Sequence, residues 1–344
     1  MTNKSPKPPI LAVTMGDPAG IGPEIAAKTF SNKAVRRMCR PLLIGHGPTM
    51  QKAVAIARVD LKVNAISNPD EALFQADTMD IMEIGGEDDD RIHFGGISAA
   101  AGDYAFRAVK TAIDLAMRRK VDGTVTGPIN KEALNMAGHH FSGHTEIYAH
   151  FTNTKKYAML LAGKNLKVIH VTTHVPMREA CDLIKKDRIK EVIQLLHDGL
   201  KKMGYSDPRI GVAGLNPHCG EGGLFGREEK EEIIPAVEDM RASGIIVEGP
   251  IPADTLFSLA IGGKFDGCVA MYHDQGHIPF KLLGFEYDKK KKTMKSVKGV
   301  NITLGLPILR TSVDHGTAFE IAGKGIASPD ALIHAIQYAV KILK

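Results

Sequence analysis

Short apolar runs rich in β-branched residues alternate along this chain with longer stretches whose apolar side chains recur every three or four positions. That alternation is the signature of a mostly parallel sheet with crossover helices, so the fold class is α/β. Ile10 to Thr14 reads as a first strand and Gly16 to Gly22 as a turn. A helix is expected to start near Pro23, since proline is tolerated in a first helical turn. Between Asp187 and Met203 the positions Ile189, Val192, Ile193, Leu196, Leu200 and Met203 line one stripe of an amphipathic helix. Ser328 and Pro329 read as the N-cap and first-turn proline of a last helix that buries Leu332, Ile336, Ala339, Val340 and Leu343.

Neither an internal repeat nor a flexible linker interrupts the pattern. At roughly 100–200 residues per domain, 344 residues suggest two domains that share strands or exchange chain. Charge narrows the partners. The excess of 44 Lys+Arg over 39 Asp+Glu is a net +5. Between Glu286 and Lys298, six lysines against two acids supply a local +4. The remainder is nearly neutral, without the basic face that nucleic acid or an anionic membrane requires, which leaves small ligands and protein partners. The lysines read as the solvated tip of a hairpin.

No apolar run reaches the ~20 residues of a bilayer span, and residues 1–9 are polar and proline-rich, so a cytoplasmic protein is expected. Cys39, Cys181, Cys219 and Cys268 form no CxxC pair and suggest no disulfide framework. The 35 glycines, about 10 % against a usual ~7 %, imply many tight turns. Loops at Gly16, Gly220, Gly299 and Gly316 are where backbone is expected to approach a ligand or a partner subunit.

Three predicted strands run into histidine: Lys167 to Thr173 into His174, Arg209 to Pro217 into His218, and Asp266 to Tyr272 into His273. Ligands of open α/β sheets gather at the carboxyl ends of strands. One such imidazole would be a satisfied loop residue, but three at matching ends point to a divalent-metal site with an open position. Asp254 and Asp274 could orient a ligand or cap a helix. Ser142 to Glu146, SGHTE, either presents His144 and Thr145 to an anion or caps a helix. Lys281, Asn301 and Arg310 could grip phosphate or carboxylate. GDPAGIG, from Gly16, matches neither the dinucleotide GxGxxG nor the phosphate loop. A nicotinamide cofactor would need another loop, for which Asp314 to Gly325 is the candidate.

GDPAGIGPE from Gly16, SGHTE from Ser142, TTH ending at His174, LNPHCGEGG from Leu215, PADTLF from Pro252, MYHDQG from Met271 and GVNITLGLPILRTSVDHGTA from Gly299 together resemble the 4-hydroxythreonine-4-phosphate dehydrogenase (PdxA) family over essentially the whole chain. The resemblance implies two α/β/α domains with a central cleft, like isocitrate and isopropylmalate dehydrogenases. Residues 1–127 with 303–344 would form the first, and 128–302 the second, with the metal ligands and a homodimer interface. It implies metal ligands at His174, His218 and His273, one donated across the dimer, for Zn, Mg, Mn or Co. Substrate contacts are implied at His144, Thr145, Lys281, Asn301 and Arg310, with His144 and Lys281 catalytic. Asp314, Gly316 and Thr317 would meet NAD or NADP. The implied reaction oxidises a 4-phosphorylated hydroxy acid to a β-keto acid and releases CO₂.

After MYHDQG the chain reads HIPFKLLGF, which is more similar to the branch acting on D-threonate or D-erythronate 4-phosphate. A three-histidine zinc hydrolase and a non-catalytic metal- or phosphosugar-binding protein are the competing expectations.

Overall fold

The computed structural model describes residues 7–85, 92–284, 287–288, 293–294 and 299–344. The chain packs as two compact units, 1–154 with 306–344, and 155–305. The first segment supplies β1 (Ile10–Thr14), β2 (Arg40–Gly45), β3 (Lys62–Ile66), β4 (Thr78–Glu83) and β5 (Gly123–Thr126). The second unit carries β6 (Ala158–Ala162), β7 (Lys167–His170), β8 (Ile210–Ala213), β9 (Val247–Ile251), β10 (Gly267–Ala270), the short β11 (Tyr287–Asp288) and β12 (Thr293–Met294), and β13 (Val300–Leu304). The chain then returns to the first unit with β14 (Arg310–Val313).

In the first unit the strand order is β3-β4-β2-β1-β5-β14, parallel throughout. In the second it is β13-β6-β7-β10-β8-β9, where β6 pairs antiparallel with both β13 and β7 and the others are parallel. Parallel strands covered on both faces need apolar side chains on both. That is why β1 (ILAVT) and β7 (KVIH) read as runs rather than as alternations, and why they are buried almost end to end. β11 and β12 pair antiparallel, while the lysines flanking them lie outside the described residues.

Helices follow the sequence periodicity closely. Gly22–Phe30 starts with Pro23 in its first turn. Lys186–Lys202 buries Ile189, Val192, Ile193, Leu196 and Leu200, and Met203 behind it. In the last helix, Asp330–Leu343, Pro329 is the N-cap residue rather than the first helical one, and Ser328 Oγ accepts from the Asp330 amide at 3.3 Å. Leu332, Ile336, Ala339 and Val340 are buried as expected, but Leu343 is 37 % exposed because the helix outruns the surface it packs on. No helix among the described residues is long and apolar enough to cross a membrane.

The expected boundary at residue 127 is corrected. Phe106, Val109 and Ile113 of the helix Ala99–Met117 share one cluster with Leu134, Ile147 and Tyr148. The helices Lys131–Met136 and His144–Phe151 bury their apolar faces there, so residues 128–154 belong to the first unit. Close packing at this joint explains Gly102: a Cβ there would stand 2.0 Å from the carbonyl oxygen of Ala133. In an open helix Gly→Ala stabilises by about 1 kcal/mol. Here Gly102→Ala is expected to cost about 2 kcal/mol net through overpacking, measured by urea unfolding, and unchanged stability would show that the two helices can part without penalty.

Candidate active site

β7, β10 and β8 are neighbours, and their carboxyl ends launch the three histidine loops. The strands are shorter than expected, ending at His170, Ala213 and Ala270, and pairing continues as single hydrogen bonds from the Val171 and Thr172 amides to the carbonyls of Ala270 and Met271. These deliver His174 beside His273, with ring centroids 5.7 Å apart. His273 opens the helix His273–Gly284, and its Nδ1 donates to Asp274 Oδ1 at 2.6 Å. That bond fixes the tautomer with the proton on Nδ1 and the lone pair on Nε2, so Asp274 orients the imidazole.

The same helix places His277 and Lys281 at successive four-residue steps on one face. His277 stacks on His273 with centroids 3.7 Å apart and an interplanar angle of 13°, and its Nδ1 donates to the His273 carbonyl. Buried His170 lies against His277, with centroids 4.8 Å apart. A Cβ on Gly276 would come within 2.3 Å of His170 Nε2, which is why the helix carries glycine there. Burial, with neighbouring imidazoles adding to it, pushes His170 down to about 3 and His277 down to about 4, so both are neutral near pH 7.

His218 stands on the loop after β8, in an unusual backbone. His218, Cys219, Gly220, Glu221 and Gly222 all have positive φ, from +42° to +77°. A left-handed run that includes three non-glycine residues costs roughly 1–2 kcal/mol per residue and must be imposed by its surroundings. Glu229 imposes it. Its buried carboxylate accepts from the amides of Leu215 and Asn216 at 2.8 and 2.7 Å and from Asn216 Nδ2 at 2.9 Å. Among the described residues no three His, Cys, Asp or Glu side chains converge to hold a metal ion. One chain therefore presents His174 and His273 as a pair, with His218 on its own clamped loop. The donor chemistry nonetheless suits a divalent ion: neutral imidazoles, one of them oriented by a carboxylate.

The SGHTE motif opens a helix. Gly143 is the N-cap of His144–Phe151, and His144 and Thr145 form its first turn. His144 Nε2 is buried without a hydrogen-bond partner, and burial together with the nearby Arg310 charge holds its pKa well below the ordinary value. Arg310 opens β14, is 2 % exposed, and donates from Nη2 to Thr126 Oγ1 at 3.1 Å. Burial lowers its pKa to about 10. Asn301 lies on β13 with its Oδ1 buried and unbonded, and Lys281 lies on the helix of His273. His144, Thr145 and Arg310 thus belong to the first unit, and Lys281, Asn301 and the histidine cluster to the second.

The glycine loops pack tightly within the chain. A Cβ at Gly16 would meet Pro128 O at 2.4 Å, at Gly20 it would meet Thr317 at 2.9 Å, and at Gly22 it would meet Met15 O at 2.2 Å. Gly220 is likewise closed in, by Glu229 Oε2 at 2.8 Å. Contacts within the chain are enough to require glycine at these positions. The loop at Gly16 packs on the loop of Asp314, Gly316 and Thr317, where the Ile21 amide donates to the Thr317 carbonyl at 2.9 Å. Gly316 alone of the glycines singled out in these two loops has open space around a would-be Cβ. Glu229, Tyr148, Thr126 and His170 escaped the sequence reading. Tyr148 and His277, each four residues after a chosen histidine, carried a helical-spacing signal, whereas Glu229 carried none.

Two outcomes follow from this geometry. Glu229→Ala strips two loop amides of their acceptor and is expected to cost about 2–4 kcal/mol in urea unfolding, and a loss below about 0.5 kcal/mol would deny it the anchoring role. In the unfolded chain His170 and His277 take protons near 6.5, far above their folded values. The unfolded state then binds more protons between about pH 6.5 and 4, so with a chelator present stability falls on acidification through that window by up to ~1.4 kcal/mol per pH unit per histidine. His170→Gln should flatten that slope in acid-dependent urea titrations.

The family model described as "Pyridoxal phosphate biosynthetic protein PdxA" matches residues 37–339. The D-threonate 4-phosphate dehydrogenase of Cupriavidus necator is 48 % identical over 97 % of this chain and 97 % of its own length. The enzyme of the same name from Pectobacterium atrosepticum is 47 % identical over 97 % of this chain and 99 % of its own. Among solved structures, the 4-hydroxythreonine-4-phosphate dehydrogenase of Klebsiella pneumoniae superposes with a TM-score of 0.84 at 44 % identity, covering 98 % of this chain and all of that one. With the motif loops in place on matching strand ends and this likeness running nearly from end to end, the chain belongs to the PdxA family.

Proposed function

We propose that this protein is a divalent-metal- and NAD(P)-dependent dehydrogenase that oxidises D-threonate 4-phosphate, or its epimer D-erythronate 4-phosphate, and releases CO₂. The observation that carries this reading is the buried pair of Arg310 and His144. A guanidinium beside an imidazole nitrogen with no partner is a hydrogen-bonding vacancy shaped for an anion, and phosphate offers both charge and acceptors. Relatives named for D-threonate 4-phosphate, at 48 and 47 % identity, favour that substrate over 4-hydroxythreonine 4-phosphate.

Arg310 would bind the phosphate, with Thr145 and His144 at the start of their helix donating to its oxygens. Lys281, whose ammonium bears on Asp274 and His277, would hold the carboxylate before it leaves or return a proton to the carbon that loses it. Asn301 Oδ1, buried and unbonded, would accept from a substrate hydroxyl. His174 and His273, with His218, would hold the metal, the set being completed across a dimer. A divalent ion there would acidify the substrate hydroxyl and stabilise the charge that develops as CO₂ departs, and the nicotinamide at the loop of Asp314, Gly316 and Thr317 would accept the hydride. Ile278, Leu282 and Leu283 expose a row of apolar side chains on the helix of His273, Leu282 by 77 %, which a second copy would cover.

The test follows NADH absorbance with Mn²⁺, Co²⁺ or Zn²⁺ and a panel of D-threonate, D-erythronate and 4-hydroxythreonine 4-phosphates. D-threonate or D-erythronate 4-phosphate should give the largest kcat/KM, and His218→Ala should abolish both metal binding and NADH formation without changing the circular dichroism spectrum. Metal-dependent hydrolysis with no NADH from any substrate would replace this reading with that of a zinc hydrolase.

A further inference from the structure

Tyr148 lies one helical turn after His144, on the same face of its helix. The side chain is fully buried, held by Phe106, Val109, Ile113, Leu134 and Ile147. The Arg310 guanidinium carbon stands 5.7 Å from the centre of the Tyr148 ring, within the range of a cation–π contact, while Nη2 reaches Thr126 on the neighbouring strand. An aromatic face stabilises positive charge without consuming the N–H groups that a carboxylate would engage. The Tyr148 hydroxyl adds nothing comparable. It is buried and leans on the Thr124 hydroxyl, which itself donates to the Leu309 carbonyl at 2.9 Å, without a bond of normal geometry. Burial raises its pKa to about 12, so it carries no charge near neutral pH.

We propose that Tyr148 is a positioning residue for anion binding: its ring, not its hydroxyl, holds the Arg310 guanidinium in the orientation that meets the phosphate of the substrate. The inference rests on Arg310 being the anion ligand, as set out above, but not on the reaction being an oxidation. The ring is locked in a core cluster, so its face is a fixed support against which the buried guanidinium rests while Nη2 is tied to Thr126. The arrangement also predicts a division of labour between the two parts of the tyrosine. Removing the hydroxyl takes away a buried polar group whose bond to Thr124 is at most a weak one, and should leave the free protein about as stable as before.

The experiment uses the full chain and two probes, inorganic phosphate and D-threonate 4-phosphate, with affinities from calorimetry and KM and kcat from NADH formation. Tyr148→Phe should bind both probes within about twofold of the parent, with an unchanged melting temperature. Tyr148→Leu should weaken both by about three- to tenfold and raise KM with kcat largely kept. Since leucine could disturb the core, phenylalanines bearing one, two and three fluorines at position 148 provide the decisive series. They keep the shape of the ring while draining its π-face, and affinity should fall stepwise with fluorine number. A flat fluorine series in a protein that binds phosphate overturns the positioning role while leaving the proposed reaction intact. A graded series in a protein that makes no NADH upholds the role and sinks the reaction. No measurable binding of either probe by the parent protein overturns both.

Discussion

A guanidinium that is almost wholly withdrawn from water has lost most of its hydration, and the surrounding structure must replace it. Arg310 is in that position, and the first unit is organised around it. β14 lies beside β5 so that Thr126 can accept from Nη2, the helix of His144 packs so that Tyr148 faces the cation, and the histidine at the head of that helix keeps a nitrogen unspent. The same burial that lowers the pKa of Arg310 also strengthens any interaction it makes with an anion, because little water remains to screen it. The helix of His144 and Tyr148 is held by the cluster of Phe106, Val109 and Ile113, so the same core packing that buries Tyr148 fixes the position of His144.

The second unit meets a different constraint. Its chemistry stands on loops beyond the carboxyl ends of three adjacent parallel strands, and loops need something to hold them. Two devices do so. On the helix of His273 the support is stacking and hydrogen bonding among imidazoles kept neutral by burial, with Asp274 setting the tautomer. On the loop of His218 it is a left-handed turn that the residues would not adopt unaided, entered through Leu215 and Asn216, which the buried Glu229 carboxylate holds in place. Strained backbone of this kind persists only where the surrounding structure holds it.

Glycine shows how far local reading carries. A surplus of glycine was expected at loops that approach ligands, and the loops are where they were placed. Gly16, Gly20 and Gly22 also allow one stretch of backbone to lie against another, as at Gly20 against Thr317 and Gly22 against Met15. A sequence registers that a side chain is missing but not what fills the space.

Read alone, the sequence determined whatever depends on short-range periodicity and on residue type. The α/β class, β1 to the residue, the buried stripe of the helix before Met203, the SGHTE turn and the histidines of the strand-end loops were all legible, because helix and strand periods and turn chemistry act within a few positions. Tertiary structure alone decided that residues 128–154 join the first unit, that Glu229 anchors the start of the His218 loop thirteen positions before it (Asn216 to Glu229), that Tyr148 lies under Arg310 across nearly half the chain, and that His174 and His273 pair while His218 stands on a separate loop. These depend on contacts between segments distant in sequence, where the energy lies in burial and in satisfying buried polar groups, and no local pattern records which partner a side chain will meet.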